Sequence, residues 1–209
     1  MYIQQMEIGS MQNYVYLVGD KETKEVAVID PAWNVKKILE EAQKNSLKIV
    51  AILITHDHPD HTNGVDEILN ELEIPIYISK HETKYFIPPN ADIRETGDGD
   101  TILIGNEKIK CIHTPGHTPG GQCFLLENYL FSGDTLFIDA CGRCDLPGSD
   151  PAKMYESLQK IKQLQNNIVI YPGHNYGYKP YDTIANQKQT NIYMKSPSKD
   201  DFLRNRMGL

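Results

Sequence analysis

His56, His58, Asp60 and His61 crowd four potential metal ligands into six positions of the segment Thr55-His56-Asp57-His58-Pro59-Asp60-His61. Imidazole and carboxylate together suit zinc, iron and manganese alike, so the chemistry on offer is that of a bound transition metal. Pro59 disfavours helical backbone at His58, and the spacing therefore predicts a loop rather than two histidines one helical turn apart. A loop lets several short side chains converge on one point. Three further candidates stand in glycine-containing turns after apolar stretches: His117 in Thr114-Pro115-Gly116-His117-Thr118-Pro119-Gly120, Asp134 in Ser132-Gly133-Asp134-Thr135, and His174 in Tyr171-Pro172-Gly173-His174. Together these groups use five of the chain's seven histidines. They exceed what one tetrahedral zinc site needs and match a pair of metals bridged by a carboxylate and a water. Read singly, each histidine is an ordinary loop residue; the density of the cluster singles it out.

Each candidate needs an element to aim it. Residues 49–54 read as a buried strand that ends at the first cluster, and Val35, Ile38, Leu39 and Ala42 mark a helix before it. Further strands are predicted over residues 14–18, 26–29 and 76–78, with a helix over about 63–72 and a small helix near 81–86. The second half predicts strands over 101–104, 108–112, 122–126 and 129–131, with Glu127-Asn128 as a hairpin turn. A helix over about 151–164 follows, capped by Asp150 with Pro151 in its first turn, and then a strand over 168–171. No repeat, low-complexity tract or linker divides the chain, so residues 1–209 read as one α/β domain. Strands at both ends with helices between them predict two mixed sheets covered by outer helices.

The 209 residues are enough to bury a full core. With 21 basic and 28 acidic residues the formal net charge is -7, and no basic run offsets it, so nucleic acid is not the expected partner. The longest wholly apolar run, residues 49–54, is far short of the ~20 residues of a membrane helix. MYIQQMEIGS carries neither the basic patch nor the apolar stretch of a secretory signal, and a cytoplasmic chain is expected. Cys111, Cys123, Cys141 and Cys144 are too few for a disulfide scaffold and should remain thiols. No second pair accompanies Cys141-x-x-Cys144, which is therefore not read as a redox or zinc motif.

The segment from Thr55 to His61 resembles the Thr-His-x-His-x-Asp-His signature of the metallo-β-lactamase superfamily, and the resemblance extends over nearly the whole chain. It implies that family's four-layer αββα sandwich. It also implies a ligand set, with His56, His58 and His117 on a first metal, Asp60, His61 and His174 on a second, and Asp134 bridging. Two zinc ions are the implied cofactor, with iron or manganese as alternatives. Asp30 matches the family's first motif, where the residue supports the metal loop without binding metal. His113 is expected to hydrogen-bond behind the ligands and His81 to face solvent.

Within the superfamily, a bridging Asp134 argues against the true β-lactamases, which the resemblance says use cysteine or serine around that position. Gly133-Asp134-Thr135-Leu136-Phe137, Cys141-Gly142-Arg143 and Met154-Tyr155-Glu156-Ser157-Leu158 look like glyoxalase II, a hydrolase of glutathione thioesters, and His174-Asn175-Tyr176 resembles its His-x-Tyr. The implied function is a metal-dependent hydrolase of a small thioester or ester, in which metal-bound hydroxide attacks the carbonyl. Asp60 would orient that hydroxide, and Arg143 and Tyr176 would contact substrate, although a salt bridge within the loop suits Arg143 and simple packing suits Tyr176 equally well. The alternative is a persulfide dioxygenase, because Gly142-Arg143-Cys144-Asp145 also matches that family's Gly-Arg-x-Asp; it implies one iron on His56, His117 and Asp134. A third reading is a non-catalytic metal-binding protein. Leu146-Pro147-Gly148-Ser149-Asp150 follows neither enzyme family. Glyoxalase II adds a C-terminal helical domain that grips glutathione, whereas only residues 175–209 follow His174 here, enough for one or two helices. Arg204 and Arg206 in that tail could reach an anionic substrate, but they read first as solvated terminal charges. The partner is expected to be a small thioester or thiol-derived molecule, and the sequence specifies no oligomeric state.

Overall fold

Strand β2 (Asn13–Gly19) is buried along its whole length because its two faces serve two different cores. Val15 and Leu17 point to one side, and Tyr14, Tyr16 and Val18 to the other, the period of two that a pleated strand imposes. The computed structural model describes residues 1–208. Its first sheet is formed by β1 (Tyr2–Ile8), β2, β3 (Glu25–Ile29), β4 (Lys48–Leu53), β5 (Ile76–Ser79) and β6 (Ile93–Thr96), paired in that order. The first three strands are antiparallel, and β3 to β6 run parallel. Helix α1 (Val35–Lys44) crosses between β3 and β4, and α2 (Pro59–Thr62) and α3 (Val65–Glu71) lie between β4 and β5.

The second sheet contains β7 (Thr101–Ile104), β8 (Glu107–His113), β9 (Gln122–Leu126), β10 (Tyr129–Gly133), β13 (Val169–Pro172) and β14 (Asp182–Thr183). They pair as β14-β13-β10-β9-β8-β7, with a small hairpin of β11 (Leu136–Phe137) and β12 (Ala140–Cys141) beside them. Helix α4 (Pro151–Lys162) crosses between the parallel strands β10 and β13, and α5 (Ile184–Thr190) and α6 (Lys199–Met207) close the chain. Asp150 caps α4 as the sequence predicts, accepting from the Ala152 and Lys153 N–H groups.

Three apolar cores hold four layers together. Val35, Ile38 and Ala42 of α1 with Val65 and Ile68 of α3 cover the outer face of the first sheet. Tyr16, Ile29 and Leu53 meet Phe124, Leu126 and Phe131 between the sheets. Met154, Leu158 and Ile161 of α4, Ile184 of α5 and Phe202 of α6 cover the second sheet. The result is the expected αββα sandwich of two mixed sheets. Among the described residues no helix is long and apolar enough to cross a membrane.

The structure corrects three local expectations. Strands β1 and β6 are additional: β1 registers with β2 from Tyr2 opposite Gly19 to Ile8 opposite Asn13, and β6 is a mostly exposed edge whose Arg94 and Glu95 hide its strand character. The helix expected over 63–72 starts at Pro59, ends at Thr62 and restarts at Val65, because the Gly64 N–H donates to the Pro31 carbonyl instead of continuing the helix. No helix forms at 81–86. That segment is fixed by long-range bonds, with the Thr83 hydroxyl donating to the Asp57 carboxylate, the Tyr85 hydroxyl to the Asp57 carbonyl, and Thr118 to Glu82.

Candidate metal centre

His56 follows β4, Asp134 follows β10, His174 follows β13, and His117 lies in the β8–β9 connection, so four chain crossings end at one edge of the sandwich. His58 adopts the extended backbone that Pro59 requires and stands just before α2, whose single turn carries Asp60 and His61. The reading of a loop thus holds through His58 and gives way to a helical turn at Asp60 and His61. All seven side chains converge. One ligand atom each from His56, His58 and His117 lie within 4.8 Å of one another, and the same holds for Asp60, His61 and His174. Asp134 stands between the two trios: Oδ1 is 3.4 Å from His61 Nε2, and Oδ2 is 3.5 Å from His117 Nε2 and 3.4 Å from His174 Nε2.

Hydrogen bonds behind the rings decide which nitrogen faces inward. His117 Nδ1 donates to the Arg143 carbonyl at 2.8 Å and His174 Nδ1 to the Met11 carbonyl at 2.9 Å, so Nε2 is the nitrogen that each ring turns toward the cluster. Asp30, buried after β3, accepts from the Thr55 N–H at 2.7 Å, the Thr55 hydroxyl at 2.5 Å and His61 Nδ1 at 3.0 Å. Since the one hydroxyl hydrogen of Thr55 goes to Asp30, its oxygen accepts from His56 Nδ1, 3.0 Å away. Asp30 therefore orients two of the rings with oxygens already engaged.

Two atoms inside this cluster have no partner. His56 Nε2 and Asp134 Oδ1 are buried without a hydrogen bond, a condition that costs roughly 1–3 kcal/mol for each group. His58 Nδ1 also lies 2.9 Å from His117 Nε2, and His61 Nε2 lies 3.0 Å from His174 Nε2, contacts between ring nitrogens that converge on the same space. Orphaned lone pairs and crowded imidazoles fit metal coordination. Gly173 is required here, since a Cβ on it would stand 2.4 Å from Asp134 Oδ1 and 3.0 Å from His61 Cε1. Burial and the neighbouring rings push His56 well below the usual imidazole range. Burial also works against a charged His174, but Asp134 and Asp60 outweigh it and raise the group to about 10. Asp134 moves to about 2: burial opposes its charge, and His61, His174 and His117 prevail.

A cavity of about 620 Å³ opens from the cluster. Tyr176 lines it, half exposed, its ring stacked on His174 with centroids 4.5 Å apart. Arg143 also lines it, but its guanidinium makes a two-pronged pair with Asp145, both contacts at 2.8 Å. Arg206, read from sequence as a solvated terminal charge, is half-buried on the cavity wall, donates to the Gly142 carbonyl at 2.9 Å and lies over the Tyr193 ring. Arg204 remains exposed. Of the two arginines that could reach an anionic substrate only Arg206 lies on the wall, a place that depends on α6 folding back onto α4. Sequence reading missed Asn13 and the Met11 carbonyl, which carry no sequence signal of their role. His113 bonds the Pro119 carbonyl in the His117 loop rather than any of the seven side chains, and stacks on the exposed His81. Cys141 and Cys144 are buried free thiols whose pKa values burial pushes up, Cys144 to about 11, which suits neither redox exchange nor metal ligation.

Two facing sheets with a His/Asp cluster at their shared edge define a metal-binding αββα scaffold. The chain belongs to the metallo-β-lactamase superfamily, whose model matches residues 8–174. It is similar to a probable polyketide biosynthesis zinc-dependent hydrolase, PksB, of Bacillus subtilis (strain 168), at 35% identity over 92% of this chain and 86% of that protein. A hydroxyacylglutathione hydrolase of Pectobacterium atrosepticum is 33% identical over 91% of this chain and 71% of its own length. Among solved structures, ETHE1 from Myxococcus xanthus superposes with a TM-score of 0.90 at 25% identity, covering 100% of this chain and 92% of that one.

Proposed function

We propose that this protein is a two-zinc hydrolase of a small thioester or ester. The observation that carries the reading is Asp134, a buried carboxylate between two ligand trios with an orphaned oxygen. His56, His58 and His117 would hold one ion, Asp60, His61 and His174 the other, and Asp134 would join them. The zinc-dependent relative and the hydroxyacylglutathione hydrolase support both the metal and the acyl chemistry.

Metals bound there would lower the pKa of a bound water towards about 7, making hydroxide available at neutral pH. The chain's own groups do the rest. Asp60, on the cavity side of its trio, orients the attacking oxygen toward a carbonyl in the cavity. Met11, Phe137 and Tyr176 give the acyl portion an apolar wall. Arg206, whose guanidinium is only partly engaged by Gly142, offers free N–H donors to an anionic substrate tail. Arg143 joins it if substrate draws its fork from Asp145, and the Tyr176 hydroxyl is free to donate to substrate. A thiolate leaves without needing a proton, so no general acid is required. A small-molecule substrate and a cytoplasmic setting complete the reading, for which the four free cysteines speak.

A second reading, a one-iron persulfide dioxygenase, is favoured by one observation: the Arg143–Asp145 pair, which is the Gly-Arg-x-Asp feature of that family. One preparation stripped of metal tests both. Supplied with zinc, it should release thiol from S-lactoylglutathione or a comparable acyl thioester. Oxygen consumption with ferrous iron and glutathione persulfide, together with no thiol release under either metal, would refute the hydrolase.

A further inference from the structure

The chain's single tryptophan stands beside the cluster yet has no part in the proposed chemistry. Trp33 is 40% exposed and adopts φ +63°, a backbone region that bulky residues rarely occupy. Several contacts hold it there. Its backbone N–H donates to Asn63 Oδ1 at 2.6 Å, at the C-terminal end of the same short helix that carries Asp60 and His61. Its ring lies flat against Gly9, where a Cβ would come within 2.3 Å of Trp33 Cδ1. Its indole Nε1–H donates to Asn13 Oδ1 at 2.8 Å.

That last bond fixes a choice of orientation. An indole nitrogen can only donate, so the Asn13 amide must present its oxygen to Trp33 and its NH2 to the opposite side. On that side Asn13 Nδ2 donates to Asp60 Oδ2 at 2.9 Å and to the Asp60 carbonyl at 3.0 Å, and lies 3.5 Å from His61 Nε2. A flipped amide would turn its oxygen on the Asp60 carboxylate. Asn13 is buried at the start of β2 and pairs across a bridge with His174, so it touches all three members of the second trio. Neither Trp33 nor Asn13 bonds His56, His58 or His117.

We propose that Trp33, through Asn13, is a positioning residue for the Asp60–His61–His174 half of the metal centre, locking the amide in the orientation that aims Asp60. The proposal rests on the two-metal reading above. It predicts an asymmetric effect: loss of the indole N–H loosens one ion and leaves the other.

Zinc titration of the metal-stripped full chain against a chromogenic chelator tests this with five proteins: the parent, Trp33→Phe, Asn13→Ala, the double variant and Asp60→Asn. The parent should take up two zinc ions. Trp33→Phe should weaken one of them about tenfold, the scale expected when a group behind a ligand is lost, and leave the other within about twofold. The weakened ion should be the one that Asp60→Asn removes. Because Trp33 acts through Asn13, Trp33→Phe should add nothing in the Asn13→Ala background. An unchanged Trp33→Phe, equal weakening of both ions, or effects that multiply in the double variant would overturn the relay. If Asn13→Ala does not fold, the split between the two ions in Trp33→Phe decides alone. A parent that binds one ion overturns the two-metal reading and the relay with it, whereas two ions in the parent and an unchanged Trp33→Phe overturn the relay only.

Discussion

At the ligand cluster the rings are held from behind: His61 by Asp30, His56 by Thr55, His117 by the Arg143 carbonyl and His174 by the Met11 carbonyl. On the cavity wall Arg143 and Tyr176 are exposed, and Arg206 reaches the wall from the last helix, next to the end of the chain. Asp30 and Thr55 stand at the ends of two neighbouring strands of the first sheet, fixed by the cores, while the Met11 and Arg143 carbonyls reach the rings from loops. The wall comes from loops and a terminal helix with fewer constraints. Metal chemistry thus rests mainly on strand ends and substrate choice on loops and the last helix, with the Arg143 and Met11 loops serving both through their carbonyls and their side chains.

The largest effect should come from Asp134→Ala. We expect the hydrolytic rate to fall by about 10³-fold or more, beyond the 10²–10³ seen for loss of one transition-state hydrogen bond. The metal-free chain should still fold, with a lower thermal midpoint because Asp134 gives up its contacts with His61, His117 and His174. Near-normal turnover would show that the carboxylate does not join the two trios. Gly173→Ala comes next. Its Cβ would press on Asp134 Oδ1 and His61 Cε1, so metal affinity should drop about 10- to 100-fold with the fold retained, read by chelator competition.

On the wall, Arg206→Ala should raise KM for an anionic thioester about tenfold, near 1.4 kcal/mol, with kcat within about twofold, since the residue meets a remote part of the substrate and not the reacting carbonyl. A fall in kcat at unchanged KM would move Arg206 into the chemistry and erase the contrast drawn here.

A smaller effect concerns Glu82, which lies under the His117 loop. Burial, helped by Asp57 and opposed by the Thr118 hydroxyl, raises its pKa to about 7 from the ordinary glutamate value of 4.5. The folded state therefore holds this proton more tightly than the unfolded one. The associated stability is present below about pH 4.5 and is lost as pH rises through about 7. The loss is on the order of 3 kcal/mol above that window. Glu82→Gln should remove this slope: denaturant midpoints at pH 5.5 and 8 should differ less for the variant than for the parent. An unchanged difference would mean that Glu82 is already ionised in the folded chain at pH 5.5.

How much of this was legible in the sequence follows the same divide. The seven candidates were readable because His56, His58, Asp60 and His61 crowd one segment and the Gly turns mark the rest, whereas their division into trios came from the family resemblance. The four layers were readable because strands such as β2 and helices such as α1 carry strong apolar patterns. Edge strand β6 was not, because half-exposed edges carry charges that break the alternation. Arg206 was not, because its place depends on α6 packing through Phe202 against Tyr155 of α4, a contact between residues far apart in sequence. Asn13 was not, because a single amide in a strand looks alike whether it faces solvent or a buried carboxylate.

The central claim is that two metal ions sit between these trios with Asp134 joining them. Elemental analysis of the protein purified without added metal tests it directly. The account predicts close to two ions per chain, predominantly zinc. Close to one iron per chain, with the second trio empty, would contradict it.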